Sequence, residues 1–234
     1  MNKRAFFDFD KTLYNGLSYF GVLESHIQQG LADPSAGPAA QDILNAFKAG
    51  IIEYEPAMTQ LLDIHARSLA GVSVHDVQAA TDSFFTDHAD QLYDYALPVV
   101  RDLSQTHEVT LVTGEPQCIG AAACSLLGIP QHNCVSSQYE VQEGVYTGRV
   151  AAYLAYAAEK QAAIGQLVDD FDYQHSIAFG DSVGDSDMLA MTANAVCVNA
   201  SSELQQIAKR NNWHTPTPQQ VVPLIKTLRQ EGSL

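Results

Sequence analysis

The spacing of apolar positions changes twice along the chain. Arg4 to Asp8 is a short apolar run that predicts a strand. From Leu17 to about Tyr95 the apolar positions fall mostly at three- and four-residue steps instead. Leu17, Phe20, Leu23, Ile27 and Leu31 form one helical series, and Ile43, Leu44 and Phe47 a second. Met58, Leu61, Leu62, His65 and Leu69 form a third, then Val74, Val77, Phe84 and Phe85 a fourth, with Ser73 as a cap ahead of it. Asp33 to Pro38 reads as a loop inside this block. After Leu97 short apolar runs alternate with helical ones. The predicted series is a helix at Pro98–Thr106, a strand at Glu108–Thr113, a turn at Gly114 and a helix at Pro116–Leu127. A short strand at Cys134–Ser136 follows, then a hairpin of Tyr139–Val141 and Val145–Thr147 turning at Glu143-Gly144. A helix carrying Lys160, a strand at Ser176–Phe179, a helix from Ser186, a strand at Ala195–Val198, a helix from Ser201 and a last helix beyond Pro218 complete it. Strands alternating with helices predict an α/β fold, a parallel sheet covered on both faces in three layers. The expected division is a core of residues 1–16 and 96–234, interrupted by an all-helical insert at 17–95.

Composition narrows the setting. With 46% hydrophobic and 17% charged residues the chain can bury a core. No apolar run approaches the ~18–20 residues of a membrane helix. Acids follow at once on the N-terminal aromatics, so the start does not read as a secretory signal. A soluble cytoplasmic protein is expected. Its 27 acids against 12 bases give a formal charge of −15, which repels nucleic acid and anionic membranes. Cys118, Cys124, Cys134 and Cys197 form no CxxC, and the eight histidines form no HxH or HxxxH pair, which argues against zinc.

In a parallel sheet the ligand lies beyond the carboxyl ends of the strands. Asp8 and Asp10, Thr113 and Gly114, and Asp181 and Asp185 all fall there, and Lys160 opens the helix before the last of these strands. Each has an ordinary alternative: solvated acids at a strand end, a turn threonine, a surface lysine, a loop with a helix cap. Together they make a nucleophile, an acid, a cation cage and an anion clamp. Those are the parts that phosphate-monoester hydrolysis needs, a reaction requiring up to about 10²¹-fold acceleration. A carboxylate nucleophile divides it into two steps. A second acid handles the leaving alkoxide and the attacking water, and hard oxygen ligands suit Mg²⁺.

DFDKT at Asp8–Thr12, Thr113, Lys160 in EKQAAI and GDSVGDSDML at Gly180–Leu189 resemble, in order, the four motifs of the haloacid dehalogenase superfamily. The resemblance is to its phosphoserine-phosphatase-like branch, whose hairpin is matched by Tyr146-Thr147-Gly148. It implies a Rossmann-like core and a Mg²⁺-dependent phosphatase acting on a small phosphorylated metabolite. Asp8 would be the nucleophile and a Mg²⁺ ligand, and Asp10 the general acid/base with its carbonyl on the metal. Thr113, Gly114 and Lys160 would hold the phosphoryl group, and Thr12 would orient the motif loop beside it. Asp181 would bind the metal directly, and Asp185 would support its water shell or Lys160. Asp187 reads as a first-turn acid of the helix. The insert at 17–95 would be a lid that selects the substrate.

The insert departs from phosphoserine phosphatases. They carry a glutamate nine residues after the nucleophile, where this chain has Leu17. Its only insert cations are Lys48 and Arg67. Tyr14, Tyr19, Phe20 and Glu53-Tyr54-Glu55 are candidates for a pocket wall, or else insert core and solvated surface. Two other classes use similar residues. A phosphotransferase would pass the phosphoryl group to an alcohol, and a phospho-signalling receiver would keep it, leaving Asp10 without a task.

Overall fold

A computed structural model describes residues 2–154, 157–168 and 170–234. Six strands form one sheet in the order β4-β3-β2-β1-β5-β6, where β1 is Arg4–Phe7, β2 Glu108–Pro116, β3 Cys134–Gln142, β4 Val145–Ala152, β5 Ile177–Gly180 and β6 Asn194–Cys197. All pairings are parallel except β3 with β4. The motif strand β1 sits near the middle, between β2 and β5. Alternation along it explains the layers. Phe6 faces one side with Val112, Ala178 and Cys197, and Phe7 the other with Leu111, Phe179 and Val196. Both faces are buried, so β1 reads as an unbroken apolar run.

Helices α1 (Ser18–Gln28), α2 (Ala36–Lys48), α3 (Tyr54–Ser68) and α4 (Val74–Asp87) fill the predicted insert. The helices that complete the core are α5 (Ala96–Leu103), α6 (Gln117–Leu127), α7 (Ala157–Leu167), α8 (Ser186–Ala190), α9 (Ser202–Asn211) and α10 (Pro218–Gln230). Residues of α7, α8 and α9 pack with Phe6, and those of α5, α6 and α10 on the Phe7 side. The insert shares that second cluster through Tyr19, Leu61, Leu62 and Phe85. No helix among the described residues is long and apolar enough to cross a membrane.

Several boundaries differ from the sequence reading. The Asp33–Pro38 loop gives way to α2 at Ala36, because a proline in the first turn removes only an N–H that has no helical partner. β2 continues through Gly114 to Pro116, with a register shift after Val112, and Pro116 caps α6 rather than joining it. Ser73 precedes α4 but makes no side-chain cap bond. The short strand and the first hairpin arm are one strand, β3, which leaves the parallel sheet to pair with β4. That hairpin holds the insert by backbone bonds: Gly71 N–H donates to Tyr146 O at 2.7 Å, Tyr146 N–H to Val72 O at 2.9 Å and Val74 N–H to Gly144 O at 3.0 Å.

Candidate active site

β1 ends at Phe7, and Asp8 N–H still donates to Phe179 O of β5 at 3.0 Å, so the first acid leaves the sheet at its centre. The chain then tightens. Phe9 O accepts from the N–H groups of Thr12, Leu13 and Tyr14, and Lys11 takes a left-handed φ of 57°. Across the sheet, α7 delivers Lys160, whose Nζ donates to Asp8 Oδ1 at 2.8 Å and to Asp185 Oδ1 at 2.6 Å. Burial alone would strip the proton from Lys160, but Asp185 and Asp8 reverse that and hold it charged. Asp185 is 0% exposed, and its Oδ2 accepts from Asp181 N–H at 3.1 Å, Ser182 N–H at 3.0 Å and Ser182 Oγ–H at 3.2 Å. Both oxygens of Asp185 are thus held by protein donors. Asp8, Asp181 and Asp185 each offer an oxygen within 4.8 Å of the others. Burial and the neighbouring carboxylates push Asp181 well above the usual carboxylate range and Asp8 to about 7. Such a crowd of acids is short of positive charge, and hard oxygen donors with one lysine fit a divalent cation of the Mg²⁺ type.

Asp10 is held by the insert. The N–H of Ser18, in the first turn of α1, donates to Asp10 Oδ2 at 2.7 Å. Burial raises Asp10 to about 6. Its carboxyl also meets that of Glu115, which burial and the Asp10 charge drive well above its ordinary range. A protonated Glu115 can donate to Asp10 where two carboxylates would repel. Thr113 is buried, and its Oγ accepts from Glu115 N–H at 3.2 Å, leaving the hydroxyl proton for another acceptor.

Asp8, Asp10, Thr113, Gly114, Lys160 and Asp181 all line one cavity of about 340 Å³. Asp185 lies behind it against Lys160. Thr12 is 0% exposed and does not line it; its carbonyl accepts from Tyr95 OH. Asp187 is likewise outside, in the first turn of α8. Of the insert residues singled out above, Leu17, Tyr19, Phe20, Lys48 and Tyr54 border the cavity. Tyr14 is core, stacked on Phe9 at 5.4 Å, and the Arg67 Nε–H donates within α3 to Asp63 O. The sequence reading overlooked Lys11 and Glu115 at the wall. Glu115 carried a usable signal, an acid directly after Thr113-Gly114 and as close to the sheet end as they are.

The model of haloacid dehalogenase-like hydrolases matches residues 5–190, and the chain belongs to that family. Among the curated proteins it resembles are a phosphoserine phosphatase and a probable phosphatase of Mycobacterium tuberculosis. Phosphoserine phosphatase SerB1 of Mycobacterium tuberculosis is 27% identical over 229 residues, covering 89% of this chain and 68% of that protein. A protein of unknown function from Bordetella pertussis Tohama I superposes with a TM-score of 0.77 at 23% identity, covering 92% of this chain and 98% of the other. A phosphoserine phosphohydrolase-like protein from Francisella tularensis superposes at 0.65 with 18% identity, covering 92% and 94%. These two structures share the fold.

Proposed function

We propose that the chain is a Mg²⁺-dependent phosphatase that hydrolyses a small phosphomonoester through an aspartyl-phosphate on Asp8. The observation that carries this reading is the line Asp8–Lys160–Asp185, with Asp181 beside it and Asp10 one residue beyond Phe9. Lys160 and Thr113 orient the phosphoryl oxygens toward Asp8. A carboxylate oxygen of Asp8 forms a bond to phosphorus as the ester P–O bond breaks, and the leaving alkoxide takes the proton of Asp10. Asp10, now ionised, takes a proton from water, which attacks phosphorus and breaks the acyl-phosphate bond, releasing inorganic phosphate and free Asp8. A pKa raised to about 6 suits a group that gives and then takes a proton near neutrality. Asp8 and Asp181 would hold Mg²⁺ directly, with the Asp10 carbonyl, and Asp185, which fixes Lys160, would support the metal's water shell. The bound cation would neutralise phosphoryl charge.

Helices α1–α4 serve in this reading as the lid that excludes water and selects the alcohol. The test is turnover of p-nitrophenyl phosphate. It should require Mg²⁺ and fall at least 10³-fold in Asp8→Asn, in line with losing a covalent nucleophile. Unchanged turnover in that variant sinks the proposal. Release of all the phosphate to water when methanol is added separates hydrolysis from phosphoryl transfer.

A further inference from the structure

The cavity has two chemically different ends. The carboxylates, Thr113 and Lys160 occupy one. The other, under α1, α2 and α3, is walled by Leu17, Phe20, Leu44, Phe47, Met58 and Leu61. Tyr19 borders it too, but its hydroxyl is spent on Leu61 O at 2.6 Å. Leu17 stays 39% exposed at the start of α1, a large apolar side chain left facing open space next to the reacting groups. The charged groups toward this end are Lys48, which is exposed at the rim, and Glu115, which is engaged with Asp10.

A zwitterionic or polyhydroxylated leaving group seated on these six apolar side chains loses water that they cannot replace. Lys48 meets it only from the exposed rim, the Tyr54 hydroxyl lies toward Lys160 and Asp8, and Glu115 is engaged with Asp10. A hydrocarbon gains by leaving water. We infer that the leaving group is an apolar alcohol, alkyl or aryl, seated on Leu17, Phe20 and Leu61 with its ester oxygen toward Asp10. This rests on the phosphatase reading above and adds the chemical class of the substrate.

The experiment compares kcat/KM of the wild-type enzyme with Mg²⁺ on ethyl, butyl and hexyl phosphate and O-phosphoserine, all phosphates of primary alcohols. Each methylene buried should add about fourfold. Hexyl phosphate should therefore exceed ethyl phosphate by about 10²-fold, and butyl phosphate should exceed O-phosphoserine at least tenfold. Leu44→Asp should collapse the hexyl-to-ethyl ratio to below 10. A flat alkyl series, or O-phosphoserine as the best of the four, overturns the inference while leaving the phosphatase reading intact. No turnover of any of these esters or of p-nitrophenyl phosphate overturns both.

Discussion

Gly180 ends β5, and the space around it belongs to Asp185. A methyl group there would sit 2.5 Å from Asp185 Cβ, 2.8 Å from its Cγ and 2.9 Å from its Oδ2. Contacts below 3 Å cannot stand, and the neighbour is a wholly buried side chain with no open direction. Asp185 must then move by about 1 Å or more to reach ordinary carbon contact. Its bonds from Asp181 N–H, Ser182 N–H and Ser182 Oγ–H already measure 3.0–3.2 Å, so such a shift breaks them. Overpacking alone costs about 1–3 kcal/mol, and weakening a buried ion pair from one side approaches about 3–5 kcal/mol. Gly180→Ala should therefore lose about 2–4 kcal/mol in urea unfolding. Since Lys160 is anchored by Asp185 at 2.6 Å, its displacement should also lower kcat about 10²-fold. Gly165 supplies the control. It lies in α7 with nothing within 4 Å of an added Cβ, so Gly165→Ala should be neutral or stabilising by about 0.5–1 kcal/mol. Gly180→Ala with wild-type stability and wild-type kcat refutes the reasoning.

Asp181→Asn removes one of the mutually repelling acids, so it should raise the melting temperature in EDTA and yet weaken Mg²⁺ at least tenfold, both read by thermal shift. A lower melting temperature in EDTA contradicts the crowding argument. The buried pair His26 and His65 gives a pH prediction. His26 Nδ1 lies 3.1 Å from His65 Nε2, and the pair ends on Thr81 Oγ1 at 2.9 Å and Tyr139 OH at 3.1 Å. Thr81 donates to Val77 O, so it accepts from His26, and the chain of bonds is complete with both rings neutral. Burial lowers His26 from 6.5 to about 4. Its contribution is therefore present above the unfolded pKa and lost as pH falls toward the folded one. Between about pH 7.5 and 5 that loss is about 2 kcal/mol. In His26→Gln the pH dependence of urea unfolding should be flatter by about that amount; equal slopes refute it.

The polar breaks in apolar strands were the legible part of this site. Asp8, Asp181 and Thr113 each follow residues that only a buried sheet accommodates, so their burial follows from the strands. The strands and the four helices between β1 and β2 were legible because short apolar runs and helical spacings separate along the chain. The Glu53-Tyr54-Glu55 cluster divides between its two readings: Glu53 and Glu55 are exposed, while Tyr54 borders the cavity and lies beside Gly184, where an added Cβ would meet its ring at 3.3 Å. The place of Glu115 at the sheet end was readable from its neighbours Thr113 and Gly114, but its pairing with Asp10 and the His26–His65 pair depend on distant groups, of which local spacing carries no record. β3 was divided into two because its two halves pair with different partners on different terms, parallel with β2 and antiparallel with β4.

The central place of β1 also sets the order in which the molecule can be made. Its partners are Glu108–Leu111 and Ile177–Phe179, so β1 leaves the ribosome with neither neighbour available. At about 5–20 residues per second, β5 follows on the order of 10–30 s later. The backbone bonds of helices α1–α4 are local and can form in that interval, ahead of their packing on β4 and α6. Phe6, Phe7 and Phe9, all 0% exposed in the finished fold, remain open to water and to other chains meanwhile. A chain halted before Ile177 carries Asp8 but lacks both β5 and Asp185, the second anchor of Lys160. Premature termination therefore yields an inert product with a sticky aromatic strand, and the cell's means of shielding nascent chains bear directly on how much active enzyme it obtains.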